Sequence, residues 1–212
     1  MTGREAATRL HEAPRSRLLF LQKFLREGRR VASVAPSSQT LARAACRYVD
    51  PRQPQSIVEL GAGTGAVTAS ALERCHPWSR LLAIEVDLDF VPILRASCPR
   101  ALVIHGDAEH LDAHLSWAGF ERIDVVISGL ALPSLTAQAR DAVLDGYHRH
   151  ATPTAWFSQL TVMPLLFWPF YNRLFHEVRF EWALWNAPPG GVYHCRGLRA
   201  RSGRSQRERS NA

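Results

Sequence analysis

No stretch of this 212-residue chain is long and apolar enough for a membrane span. The most apolar run, Ala155 to Tyr171, contains Ser158, Gln159 and Thr161 and is broken by Pro164 and Pro169. A spanning helix needs about 20 largely apolar, unbroken residues. Cysteine is sparse. Cys46, Cys75, Cys98 and Cys195 stand far apart, with no Cys-x-x-Cys and no zinc-ligand spacing. A structural zinc or a disulfide scaffold is thereby excluded, and buried free thiols in a reducing compartment are expected. No cleavable leader is evident, because Leu18 to Leu21 is short and followed by charge rather than a small-residue cleavage site. There is no internal repeat. Lysine is reduced to Lys23 among 26 cations, a skew that identifies no anion by itself.

What is present is concentrated near residue 60. Ile57-Val58-Glu59-Leu60-Gly61-Ala62-Gly63-Thr64-Gly65 is an apolar run with an acid two residues before three alternate glycines, and an alanine-rich segment to Leu72 follows. The pattern predicts a strand, a tight glycine turn and a helix start. Glycine suits such a turn because it takes positive φ and puts no Cβ between backbone and ligand. Glu85 closes the run Leu81-Leu82-Ala83-Ile84, and Asp107 follows Val103-Ile104-His105-Gly106. These intervals suit two successive strand–helix units. A dinucleotide fold calls for G-x-G-x-x-G with a pyrophosphate on the helix N-terminus. Here Gly65 arrives one residue early, and Ala66 holds the third position of that spacing.

The acid before the glycines, Glu59, the glycines Gly61, Gly63 and Gly65, the acid ending the second strand and the Gly-Asp ending the third resemble the S-adenosylmethionine (SAM) site of class I methyltransferases. The resemblance implies SAM as cofactor and no metal. It also implies that the glycine turn passes the amino-acid moiety, that Glu85 binds both ribose hydroxyls and that Asp107 reads the adenine amino group. The bland alternative is three solvated loop acids in a doubly wound fold.

Strands near 56–60, 80–85, 101–105, 123–128 and 154–161 alternate with helices near 65–75, 88–97, 109–117 and 135–150. Alternation at this spacing predicts a parallel sheet with right-handed crossovers. Arg179 to Trp185 and Val192 to Arg196 are joined by Asn186-Ala187-Pro188-Pro189-Gly190-Gly191. So short a link cannot make a parallel crossover, so the end is a hairpin. Phe167, Trp168, Phe170 and Tyr171 predict an aromatic loop after the fifth strand, either core or lining an acceptor site. A helix starts at Pro36-Ser37-Ser38 with serine as N-cap and runs to about Tyr48. The expected fold is α/β: a Rossmann-like, mostly parallel sheet with a terminal antiparallel hairpin. The expected parts are an N-terminal amphipathic, helical extension over 1–54, a SAM-binding domain over 55–197 and a basic, disordered tail over 198–212.

Charge is unevenly placed. The net +7 divides into +5 over residues 1–30, −3 over 31–195 and +5 over 196–212. Basic ends suit a polyanionic surface, either anionic lipid or nucleic acid, or serve solubility alone. Residues 15–30 predict an amphipathic helix with Leu18, Phe20, Leu21, Phe24 and Leu25 on one face. Such a helix packs on its own domain, lies in a membrane interface or meets a partner protein.

The acceptor is expected after the fourth strand, near Ser128-Gly129-Leu130, because ligands sit at the C-terminal strand ends of a doubly wound sheet. The Asn/Asp-Pro-Pro-aromatic motif of adenine and glutamine amino-methyltransferases is absent there, which disfavours nucleic acid. The N-terminal amphipathic segment, Val34-Ala35-Pro36-Ser37-Ser38, the SAM elements, Ser128-Gly129-Leu130 and Asn186-x-Pro188-Pro189 together resemble bacterial phospholipid N-methyltransferases. That resemblance spans roughly residues 15–196. It implies methylation of the amine of a phosphatidylethanolamine-type lipid by a cytoplasmic enzyme peripheral on the inner face of the cell membrane. The anionic surface would be held through the basic ends and the N-terminal helix. Two departures fall on the acceptor side: Ala131 where the family usually has proline, and Val162 where it usually has tyrosine. Ser128, Tyr147 and Tyr171 are the catalytic candidates, with His148 and Asp124 as further possible bases. Tyr171, Trp168 and Trp156 could face a methylated cation. The alternatives are an rRNA adenine dimethylase-like enzyme, a small-molecule methyltransferase and an inactive SAM-binding protein. Oligomeric state is left open.

Overall fold

Aliphatic, β-branched runs form the centre of the protein because both of their faces are covered. The computed structural model describes residues 36–163, 165–183 and 190–199. The helix expected over 15–30, the Asn186-x-Pro188-Pro189 segment and the tail from residue 200 lie outside the described residues. The strands β1 (Ser56–Leu60), β2 (Arg80–Glu85), β3 (Leu102–His105) and β4 (Ile123–Ser128) alternate with α2 (Ala66–Arg74), α3 (Phe90–Ser97) and α4 (Leu111–Ala118), and α1 (Pro36–Ala45) precedes them. Then come α5 (Ala137–His150), β5 (Ala151–Thr161), α6 (Trp168–Leu174), β6 (Phe175–Ala183) and β7 (Gly190–Leu198). β1, β2 and β4 are buried along nearly their whole length, as parallel strands between two helical layers are.

The seven strands lie in the order β3-β2-β1-β4-β5-β7-β6. β1 to β5 are parallel, and β7 runs antiparallel to both β5 and β6. The expected parallel sheet with a terminal antiparallel hairpin is therefore present. Strand order reverses at β1, between β2 and β4, where a doubly wound sheet opens a crevice for ligand. Register levels the strand ends there: Leu60 lies beside Ile84 and Ser128, and Ser128 beside Gln159.

Alternation along each strand divides the core into two layers. Val58, Leu60, Leu82, Val126 and Phe157 pack with Leu111, Leu115, Val143 and Leu144 of α4 and α5. Ile57, Leu81, Ala83, Val125 and Ile127 pack with Ala71, Val91 and Leu94 of α2 and α3. Ala45 and Cys46, at the end of α1, join this second layer. All four cysteines are buried and free, as expected.

Several boundaries differ from the sequence reading, among them α1, which starts at Pro36 and so holds Ser37 and Ser38 within the helix instead of at its N-cap, and ends at Ala45. The aromatic segment after β5 is not a loop throughout, because Trp168–Leu174 is the short helix α6, with proline at its first turn where a missing N–H does no harm. β6 begins at Phe175, four residues before the expected start. β5 begins at Ala151, where a register irregularity between Ile123 and Val125 lets Ala151 pair with Ile123.

Candidate cofactor and acceptor site

The chain leaves β1 at Leu60 and must turn at once to start α2. Gly61, Gly63 and Gly65 take φ of 71°, 59° and 94° to do so. Gly65 is doubly constrained. An added Cβ would lie 2.8 Å from Leu94 Cδ1 and 3.1 Å from Cys98 Sγ, so the residue also lets α2 approach α3. The Gly61 and Ala62 N–H groups donate to the Ile84 carbonyl at 2.8 and 3.2 Å and tie the turn to the end of β2.

Glu85 ends β2 beneath this turn and is 4% exposed. Its Oε2 accepts the Gly63 N–H at 2.6 Å, and its Oε1 accepts those of Val86 and Asp87 at 3.0 and 2.9 Å. A carboxylate offers about four lone-pair sites, so three backbone donors leave one, on Oε2, for an incoming hydroxyl. That is the chemistry a ribose supplies, and the residues present fit a nucleoside lying against the glycine turn. Asp107 follows β3 and is exposed. Its Oδ1 accepts the Glu109 N–H at 3.0 Å, which caps the 3-10 turn Ala108–His110. The preceding Gly106 is packed under the His114 ring, 2.5 Å from where its Cβ would be, and its N–H donates to the Glu85 carbonyl. Two carboxylates thus stand on adjacent strand ends beside the glycine turn.

Glu59 stands one residue before the end of β1 and is buried. Its Oε2 accepts the Thr68 hydroxyl at 2.6 Å, which ties the end of β1 to the first turn of α2.

On the acceptor side, Ser128 is buried at the end of β4, and its Oγ accepts the Leu130 N–H at 3.3 Å. Tyr147 is in the core between α5 and the sheet; its hydroxyl donates to the Ala155 carbonyl at 3.3 Å, and its ring meets Phe157 and Phe175. Tyr171 is buried on α6 with its ring 4.7 Å from that of Tyr193. Burial raises the pKa of both phenols well above the ordinary tyrosine value, so each keeps its proton and acts as a donor, not a base. Asp124 is at the opposite end of the sheet, where it accepts the Ser56 N–H at 2.8 Å. His148 is exposed near the end of α5. Trp156 stacks on Tyr48 at 3.7 Å, and the Arg179 and Arg196 guanidiniums lie within 5.2 Å of its ring centre, so its faces are already engaged. Trp168 is 38% exposed at the start of α6.

Two sets of contacts were not foreseen from the sequence, although Gln159 opens the segment after the fifth strand that resembles the lipid N-methyltransferases. Gln159 of β5 reaches across to the Ser128–Leu130 segment. Ser158 and His194 form a buried pair, Oγ to Nδ1 at 2.9 Å, with Glu181 Oε2 3.4 Å from the far ring nitrogen. Both are polar residues at strand positions where only tertiary pairing reveals a role. Both Ser158 and His194 are buried. A cleft of about 540 Å³ between α1, the end of α2 and β6 is lined by Arg43, Arg47, Arg74 and Tyr48, and includes none of the predicted site residues.

Comparison with known proteins decides the family. The methyltransferase-domain model matches residues 58–158, which run from β1 into β5. An ornithine lipid N-methyltransferase of Singulisphaera acidiphila is 38% identical over 184 residues, covering 85% of this chain and 96% of that protein. The chain belongs to the SAM-dependent N-methyltransferases. In this methyltransferase the glycine turn and the acids at the ends of β2 and β3 fall inside the matched segment. A ribosomal RNA small subunit methyltransferase A of Geobacter metallireducens is 39% identical over 79 residues, covering 35% of this chain and 28% of that protein. Aeropyrum pernix fibrillarin in complex with natively bound SAM shares the fold, with a TM-score of 0.55 at 12% identity over 72% of this chain and 76% of that one.

Proposed function

We propose that this methyltransferase moves methyl groups from SAM to the primary amine of a membrane aminolipid. The observation that carries the reading is similarity to an ornithine lipid N-methyltransferase over 85% of this chain and 96% of that protein, against similarity to rRNA methyltransferases over about a third of the chain. The sequence motifs favour a phosphatidylethanolamine-type head group and the relative favours an ornithine-type one. Both present a primary amine on a flexible arm.

The site residues have distinct tasks in this reading. The Gly61–Gly65 turn gives a ligand access to bare backbone, the open site on Glu85 Oε2 receives a ribose hydroxyl and Asp107 receives the adenine amino group. SAM supplies a methyl group on a sulfonium, which makes the transfer intrinsically favourable, so the protein's work is alignment and water exclusion. The attacking amine must be neutral, and burial at the crevice lowers an amine's pKa. A water or nearby side chain takes the released proton.

The edge that carries the site also suits a bilayer surface. Val86 and Leu88 after β2, and Leu165, Leu166 and Trp168 after β5, are exposed apolar residues that follow the C-terminal ends of their strands. Among the described residues no helix is long and apolar enough to cross a membrane. The basic ends and the 15–30 segment complete a peripheral attachment to anionic lipid at the inner face of the cell membrane. The test is incubation with methyl-labelled SAM and, separately, phosphatidylethanolamine vesicles, ornithine-lipid vesicles and total RNA. Label in a lipid band identifies the head group. Label in RNA alone overturns the proposal.

A further inference from the structure

Gln159 is 1% exposed and pairs with Ser128 at the C-terminal end of the sheet. Its Nε2 lies 3.0 Å from the Ser128 carbonyl oxygen, 2.6 Å from that of Leu130 and 2.9 Å from that of Leu160. Three carbonyls around one end settle the orientation of the amide, because the reverse arrangement would set oxygen against oxygen. The other end, Oε1, is therefore committed as an acceptor. It is buried and has no hydrogen-bond partner among the described residues. Buried amide oxygens are nearly always satisfied, so this one calls for a donor that the chain does not provide.

Its position says which donor. Leu60, Ser128 and Gln159 are neighbours in register across β1, β4 and β5. The amide therefore stands two strand spacings, about 10 Å, from the strand end that carries Gly61–Gly65. An acceptor molecule would lie here, beside the cofactor and under the Ser128–Leu130 segment. The oxygen is sealed in this structure, so side chains at this edge must part to admit a ligand.

We infer that Gln159 Oε1 accepts a hydrogen bond from an N–H of the acceptor amine and aims its lone pair at the methyl group; this rests on the lipid-amine reading above. The amide is not a base. The amine lone pair forms the new N–C bond, the old S–C bond breaks with its electron pair going to sulfur, and the ammonium product loses its proton to water. A primary amine has two N–H bonds, a secondary amine one and a tertiary amine none. Gln159 therefore serves the first and second transfers and is idle in a third.

The test compares Gln159→Met with the wild-type chain on two lipids, the primary amine that the wild type methylates and its N,N-dimethyl form. Calorimetry with S-adenosylhomocysteine (the demethylated product) reports cofactor binding independently. The expected result is unaltered binding and a fall of roughly 10- to 100-fold in kcat/KM for the primary amine relative to the dimethyl one. Equal falls on both lipids, or no fall on the primary amine, overturn the inference and leave Gln159 as a clamp on the Ser128–Leu130 segment. Should the wild type leave the dimethyl lipid unmethylated, the N,N,N-trimethyl form, which has no N–H, serves as an inhibitor: the variant must keep its inhibition constant while losing the same factor on the primary amine, and equal loss of both overturns the inference. If the methionine variant fails to bind S-adenosylhomocysteine, Gln159→Asn, which shortens the arm and withdraws the oxygen, carries the same comparison. Wild-type protein that binds S-adenosylhomocysteine yet labels no lipid amine overturns the lipid-amine reading, and this inference with it; that outcome is distinct from a wild type active on lipid whose variant keeps the same lipid ratio.

Discussion

Replacing Glu85 with glutamine removes one charge and changes one oxygen to NH2, with almost no change in volume. In the wild type, Oε1 accepts two backbone N–H groups and Oε2 accepts one. A glutamine oxygen in the Oε1 place can keep the Val86 and Asp87 bonds. Its NH2 then faces the Gly63 N–H, donor against donor, inside a site that is 4% exposed. Leaving a buried donor unmet costs about 1–3 kcal/mol, so the midpoint of urea unfolding should fall accordingly. The effect on ligand is larger in relative terms. Each charge-assisted hydrogen bond contributes about 1.5–3 kcal/mol, and the NH2 end can no longer accept a ribose hydroxyl. Calorimetry with SAM and with S-adenosylhomocysteine should show affinity weakened by about 10- to 100-fold, the loss of one such bond. Affinity within twofold of wild type, in protein shown to be folded, would refute the ribose role and return Glu85 to a purely structural brace.

Other consequences follow from the same geometry. Gly65→Ala combines a left-handed backbone at φ 94° with a Cβ 2.8 Å from Leu94 Cδ1, and should lose about 2–5 kcal/mol in chemical denaturation. Burial, opposed by the Glu181 carboxylate and reinforced by the Arg47 and Arg179 charges, lowers the His194 pKa to about 4. The native ring stays neutral while the unfolded chain takes up a proton below about 6.5, so this residue's contribution is complete above that pH and is lost as pH falls towards 4. That is about 3 kcal/mol over the window, and His194→Gln should flatten the stability profile between those two values. Removal of residues 1–30 should weaken binding to anionic vesicles in sedimentation, and wild-type binding should decline with salt; equal, salt-independent binding by both chains contradicts the attachment.

The parts of this account that were legible in sequence are local ones. A strand ending in Leu60, three glycines and a helix beginning at Ala66 announce themselves because turn geometry restricts residue type within a few positions. The acids Glu85 and Asp107 were visible because apolar runs stop at them. The terminal hairpin was visible because six residues cannot carry a parallel crossover. What was hidden depends on packing. Glu59 stands in the motif, but its hydrogen bond from the Thr68 hydroxyl of α2 could not be read from the spacing. Tyr147 and Tyr171 look like reactive phenols in sequence, but the aromatic cluster around Phe157, Phe175 and Tyr193 encloses them. Proline on both sides of Phe167 suggests a loop, whereas Pro169 sits in the first turn of α6, where helices accept it. Gln159 is an ordinary polar residue in a strand until the register places it beside Ser128 with one end of its amide unmatched.

The most direct trial of the central claim is the lipid composition of a bacterial host that makes both phosphatidylethanolamine and ornithine lipid but methylates neither. Mass spectrometry of its membranes should show N-methylated forms of one of these lipids when the wild-type chain is produced, and none when Glu85→Ala is produced at the same level. An unchanged lipid profile, in cells where the wild-type protein is abundant and retains S-adenosylhomocysteine on purification, would contradict the account.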